Sequence, residues 1–161
     1  MLILLVLATA VATLWALNAQ GQQFPRAFAR LLGDPALDAG VWTFLSGRPV
    51  VSGTFAGRDV VLRLHLKRGR YDQGWLTISM QTSAAGLLDA GGVDSRTAGD
   101  AGRRALFTLA KHDLRLSVEG GRLKASWQPH GFVLFPGPFV ESKWREVLDA
   151  MHAVAESLDL N

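Results

Sequence analysis

The stretch VVSGTFAGRDVVLRLHLKRGRYDQGWLTISM, residues 50–80, decides the fold class. Its apolar residues recur at every second position. Leu62, Leu64 and Leu66 alternate with Val61, Arg63, His65 and Lys67, and Leu76, Ile78 and Met80 continue the pattern. Successive side chains of a strand point to opposite faces, so this period marks a sheet with one apolar and one polar face. Ala56-Gly57-Arg58-Asp59 and the segment from Arg68 to Gly74 carry turn chemistry. They divide the stretch into three strands of an antiparallel meander over residues 49–81.

An apolar sheet face needs a cover, and the rest of the chain supplies one. From Phe139 to Leu158, Trp144, Val147, Leu148, Met151, Ala155 and Leu158 fall at three- and four-residue spacing, with Lys143, Arg145, Glu146, Asp149 and Glu156 facing away. That is the stripe of an amphipathic helix lying on a sheet. Between meander and helix, Leu114, Leu116 and Val118 alternate with Arg115 and Ser117, and Glu119-Gly120-Gly121-Arg122 turns the chain into Leu123 to Trp127, a second hairpin. Residues 103–112 read as a helix, the alternative being a strand, and residues 82–102 as a glycine-rich loop. Phe132-Val133-Leu134-Phe135 reads as a last buried strand, the alternative being an exposed contact patch. The expected fold is α+β, a small antiparallel sheet covered by a C-terminal amphipathic helix, in two layers.

Working towards the N-terminus, Met1 to Leu17 contains no charge. As a helix it would be about 25 Å long, at the short end for a membrane span. A cleaved signal peptide is the competing reading. No Lys or Arg precedes the apolar run, however, and cleavage after Ala19 would put Leu17 where a small residue is expected. The expectation is a single retained transmembrane anchor over residues 1–19, a juxtamembrane connector over 20–48 and the α+β domain over 49–161. Trp15, Arg26 and Arg30 read as membrane-interface residues, and two arginines after the run against none before it place the domain on the cytoplasmic side of the inner membrane. Ala8, Ala12 and Ala16 recur at four-residue spacing, a face on which a second transmembrane helix could pack closely. Within the connector, residues 24–38 read as a short amphipathic helix with Phe28, Leu31 and Leu32 on one side, ended by Gly33 and Pro35.

Charge and composition bound the function. Lys and Arg number 17 against 14 for Asp and Glu, a net +3 too small for the footprint of a nucleic-acid binder. With no cysteine, disulfides, thiolate zinc sites, iron–sulfur clusters and cysteine nucleophiles are excluded. His65, His112, His130 and His152 stand far apart without metal-ligand spacing, and no phosphate-binding glycine loop or serine-hydrolase elbow occurs. No metal, cofactor or catalytic residue is implied. The strongest charge cluster is Arg63, Lys67, Arg68 and Arg70 on one hairpin, a contact for lipid headgroups or a protein partner. The expected function is therefore a non-catalytic, single-pass accessory or scaffold subunit of a larger membrane protein complex, its partners the bilayer and a membrane protein. The alternative is a membrane-tethered lipid- or ligand-binding module.

Overall fold

The computed structural model describes residues 2–38, 49–64, 76–83, 99–127 and 139–160. Among them are helices α1 (Leu2–Ala29), α2 (Asp100–Lys111) and α3 (Glu141–Asp159) and strands β1 (Gly33–Asp38), β2 (Val50–Phe55), β3 (Arg58–Leu64), β4 (Leu76–Gln81), β5 (Leu114–Glu119) and β6 (Arg122–Trp127). The strands form one six-stranded antiparallel sheet in the order β1-β2-β3-β4-β6-β5. The architecture is α+β, as the alternation in the sequence requires.

The register turns that alternation into a core. Val51, Leu62, Ile78 and Ala125 lie in one cross-strand row, and Val60, Met80, Leu123 and Val118 in another. All eight are buried. Against them lies the α3 stripe, in which Trp144, Val147, Leu148, Met151, Ala155 and Leu158 are all buried as expected, joined by Val154. Removing each such side chain from water contributes on the order of 1.5–3 kcal/mol. Helix α2 lies beside α3 and antiparallel to it. The Gly99 amide at its start donates to Ser157 Oγ at 3.1 Å, and His112 past its end lies 3.0 Å from Glu146.

Both short hairpins use the same turn chemistry. Ala56 and Gly57 have φ of 48° and 79°, and Gly120 and Gly121 have 58° and 68°. Two consecutive residues at positive φ match the right-handed twist of the flanking strands.

The largest departures from the sequence reading lie before Val50. Residues 24–38 do not form a separate helix. Helix α1 runs without interruption from Leu2 through Pro25 to Ala29, across the expected boundary at residue 19. Pro25 removes one helical hydrogen bond. Burial of Phe24 and Phe28 against Trp144 and Phe139, with edge-on ring contacts of 5.2–6.4 Å, favours continuing the helix. Gly33 to Asp38, within the expected connector, is the edge strand β1 paired to β2. Pro35, the positive φ of 45° at Asp34 and a register shift between Gly33 and Ala36 confine it to an edge. Gly53 is what lets α1 exit so close to the sheet: a Cβ there would sit 2.8 Å from the Gly33 carbonyl oxygen and 2.9 Å from Leu32 Cβ.

These contacts also give α1 a direction. Phe24 meets the first turn of α3, while Gly33, four residues after the helix, pairs with Thr54 near the β2–β3 hairpin. Helix α1 therefore descends along the sheet from the end holding Val50, Leu64, Leu76, Leu114 and Trp127 to the end holding the two tight hairpins. Residues before Phe24 continue past the first of these ends.

Candidate functional site

The N-terminal half of α1 stands apart from the domain. Every residue from Ile3 to Ala16 is exposed, with Ile3 at 75%, Leu4 at 72% and Trp15 at 68%. Asn18 is the first buried residue among those described. The two threonines of this half turn their hydroxyls onto their own helix: Thr9 donates to the Leu5 and Val6 carbonyls at 3.0 and 2.9 Å, and Thr13 to the Thr9 carbonyl at 2.8 Å. A helix whose side-chain donors are satisfied internally presents an apolar surface to whatever surrounds it.

Ala8, Ala12 and Ala16 all lie within this exposed half, as does Trp15. Arg26 does not. It stands on the docked half, about 16 Å further along the helix axis than Trp15, and donates to Gln22 Oε1 at 2.5 Å. Arg30 follows just past the helix end and is exposed. Among the described residues, no helix is long and apolar enough to cross a membrane. The described, fully exposed run from Ile3 to Ala16 covers about 21 Å against a hydrocarbon core of about 30 Å.

Of the basic hairpin cluster, Arg63 is exposed on β3 opposite Val50, at the end of the sheet away from the two tight hairpins, whereas Lys67, Arg68 and Arg70 lie outside the described residues. His65, His130 and the segment 132–135 lie outside them too. Register places Arg63 on the sheet face away from the helices, in a row with Thr77, Ser126 and Arg115. Sequence reasoning missed Arg115. Only the strand order, with β6 between β4 and β5, brings it into that row.

Two polar clusters hold the helices in place. Asp159, at the last turn of α3, accepts from Thr82 Oγ1 at 2.6 Å and the Ser83 amide at 2.7 Å, and pairs with Arg58 at 2.6 Å. Burial alone would raise the pKa of this carboxyl. The hydrogen bonds from Thr82, Ser83 and Arg58 outweigh it and hold the carboxyl well below its ordinary range. The cluster locks the end of α3 to the β2–β3 hairpin and the end of β4. Glu146 on α3 similarly accepts from His112 and lies 3.6 Å from Lys111, and the His112 contact leads in lowering its pKa. In each case the donors bind a helix to its neighbour, a structural role. Among the described residues, no group of three or more His, Asp or Glu side chains is arranged to hold a metal ion.

No family model matches the sequence, and no curated protein matches it.

Proposed function

We propose that this protein is a membrane-anchored accessory or scaffold subunit of a larger membrane protein complex, non-catalytic, with the N-terminal half of α1 embedded in the bilayer. The observation that carries this reading is the exposed, uncharged run from Ile3 to Ala16 on a helix whose other half is built into the domain core. Ile3, Leu4, Leu5, Val6, Leu7, Val11, Leu14 and Trp15 together form an apolar surface well beyond the scattered exposed residues of an ordinary domain. Counted on the sequence from Met1 to Leu17, the run is about 25 Å long, roughly 5 Å short of the hydrocarbon thickness. A bilayer accommodates such a mismatch by thinning, or by helix association, at fractions of a kcal/mol per Å. Single-pass anchoring then places Trp15 at the interface and Ala8, Ala12 and Ala16 where a partner helix can approach. With Arg26 and Arg30 following the run, the positive-inside bias puts the domain on the cytoplasmic side.

The continuity of α1 gives this anchor a mechanical character. No flexible linker separates the apolar half from Phe24 and Phe28, so the domain is held at one distance from the bilayer and in one orientation. A scaffold that positions other subunits needs that rigidity.

The test is extraction of the native protein in mild detergent, followed by size separation and identification of whatever migrates with it. Comigration at fixed stoichiometry with a membrane complex is expected. Release from membranes by high salt or alkali, without detergent, would remove the anchor. Migration as a lone chain after gentle extraction would remove the subunit assignment and favour the tethered lipid- or ligand-binding module.

A further inference from the structure

The two edges of the sheet are finished in different ways. At β1, Pro35 has no amide to donate, Asp34 has a positive φ of 45°, and the register with β2 shifts between Gly33 and Ala36. Each of these makes an edge hard to extend. At the opposite edge, β5 pairs with β6 position by position from Leu114 to Glu119 without a shift, and it contains neither Pro nor Gly. Among the described residues no strand lies beyond it. The hairpin turn fixes where its free backbone groups point. Glu119 and Arg122 flank the two-residue turn Gly120-Gly121 and bond to each other, so Glu119, Ser117 and Arg115 turn their backbone groups to β6. The amides and carbonyls of Leu114, Leu116 and Val118 therefore point outward, away from the sheet.

We propose that the outer edge of β5 is extended by a seventh strand from a partner subunit, one that presents a carboxylate opposite Arg115 and an apolar side chain beside Leu116. This rests on the accessory-subunit reading above and adds to it the surface that docks and the form the partner takes there. The backbone sets the form. A row of outward amides and carbonyls at every second residue is matched by another strand, whose own groups recur with the same period. The side chains set the chemistry. Leu116 is half-buried on the side of the helices, between buried Leu114 and Val118, so an apolar neighbour there completes its cover. On the other side stand Arg115, Ser117 and Glu119; Lys124 already contacts Glu119, whereas Arg115 is exposed. A carboxylate opposite Arg115 is thus the favourable cross-strand pair, and a cation there the unfavourable one. A second copy of this chain does not fit the anchored reading. Antiparallel pairing of β5 with itself needs a two-fold axis perpendicular to the sheet, which would send the two α1 helices, each running along its own sheet, in opposite directions. They could not then enter one bilayer side by side.

The experiment follows backbone amide hydrogen exchange of the full chain, alone in mild detergent and within the membrane complex that comigrates with it. In the isolated chain the Leu116 and Val118 amides are expected to exchange at least about tenfold faster than those of Arg115 and Ser117, which β6 protects. In the complex they should slow by at least about tenfold, with the β1 edge unchanged. Leu116→Pro removes one outward amide and no bond to β6, so it should keep the fold by circular dichroism and lose comigration. Should that variant unfold, Arg115→Glu is the second, expected to keep the fold and weaken comigration about fivefold, with Arg115→Lys retaining it. Comigration without slowing at Leu116 and Val118 would overturn the edge contact and leave the subunit reading standing. Slow exchange at both amides in the isolated monomer would overturn it too, since the edge would then be covered within the chain. A dimer of the isolated chain cross-linked through Ser117→Cys, a clean reporter because the chain has no native cysteine, would overturn it in favour of a second copy. Absence of any comigrating complex would instead remove the subunit reading, and this contact with it.

Discussion

The two halves of α1 are both rich in apolar side chains, yet they meet opposite surroundings. From Ile3 to Ala16 every residue is exposed; from Phe24 to Leu32 the four large apolar residues Phe24, Phe28, Leu31 and Leu32 are all buried. The difference lies in pattern. In the second half and the turn that follows it, the large apolar residues face Trp144, Phe139 and the β1–β2 edge, while Arg26 and Arg30 are exposed. In the first half apolar residues surround the helix, so no single contact with the domain could cover them. A helix apolar all round is one that expects an apolar environment on every side. One continuous element therefore has one half exposed and the other built into the core, with Asn18 the first buried residue among those described.

The strongest way to sharpen this contrast is Phe28→Ala. Phe28 is fully buried and touches Trp144 edge-on, so truncation should cost about 3–5 kcal/mol in denaturant unfolding of the detergent-solubilised chain. A cost under about 1 kcal/mol would mean that the second half of α1 is not part of the core.

Next comes the lock at the far end of α3. Asp159→Ala should cost about 2–3 kcal/mol at neutral pH, the range for hydrogen bonds to an ionised group. Because the folded pKa of Asp159 is depressed, its contribution is complete above the unfolded value of about 3.9 and is lost as pH falls from there through the folded value. The gap in stability between the wild-type chain and the variant should therefore be constant near neutrality and close below about pH 4. A gap that widens on acidification would contradict the assignment.

The first half of α1 should respond differently. Ala8→Leu with Ala12→Leu should leave the domain's unfolding unchanged but weaken association with a membrane partner by about 1–2 kcal/mol, measured as loss of comigration after gentle extraction. Unchanged association would take the partner face away from this helix. The smallest effect on folding belongs to Leu5→Ala, expected within about 0.5 kcal/mol of the wild-type chain although it removes a large apolar side chain. A cost comparable to that of Phe28→Ala would erase the contrast between the two halves.

Much of the sheet and its cover was legible because their signals are local and periodic. Val60, Leu62 and Leu64 are buried where Arg63 is exposed, and the α3 stripe from Trp144 to Leu158 is buried throughout. Strand β1 was not legible. Gly-Asp-Pro-Ala-Leu-Asp carries turn residues and no alternation, and it is a strand only because the edge of β2 supplies its hydrogen bonds. Nor was the continuity of α1, since the uncharged run and the helix read over 24–38 carry separate patterns, and only the packing of Phe24 and Phe28 on Trp144 and Phe139 shows why one helix spans both. Of the candidate surface residues, Ala8, Ala12, Ala16, Trp15 and Arg63 could be picked from spacing and charge. Arg115 could not, because its relation to Arg63 passes through three strand pairings, one of them between strands far apart in the chain.

By itself, then, the sequence determined periods: an alternation that makes strands, a three-and-four spacing that makes α3, and an uncharged apolar run that makes a helix with no polar side. Each is a property of neighbouring residues and follows from the geometry of one element. The tertiary structure alone decided the strand order, the single rigid α1, the Asp159 lock and the end of the sheet from which the apolar helix projects. These depend on contacts between residues distant in the chain, such as Arg58 with Asp159 and Phe24 with Trp144, whose partners no local pattern names.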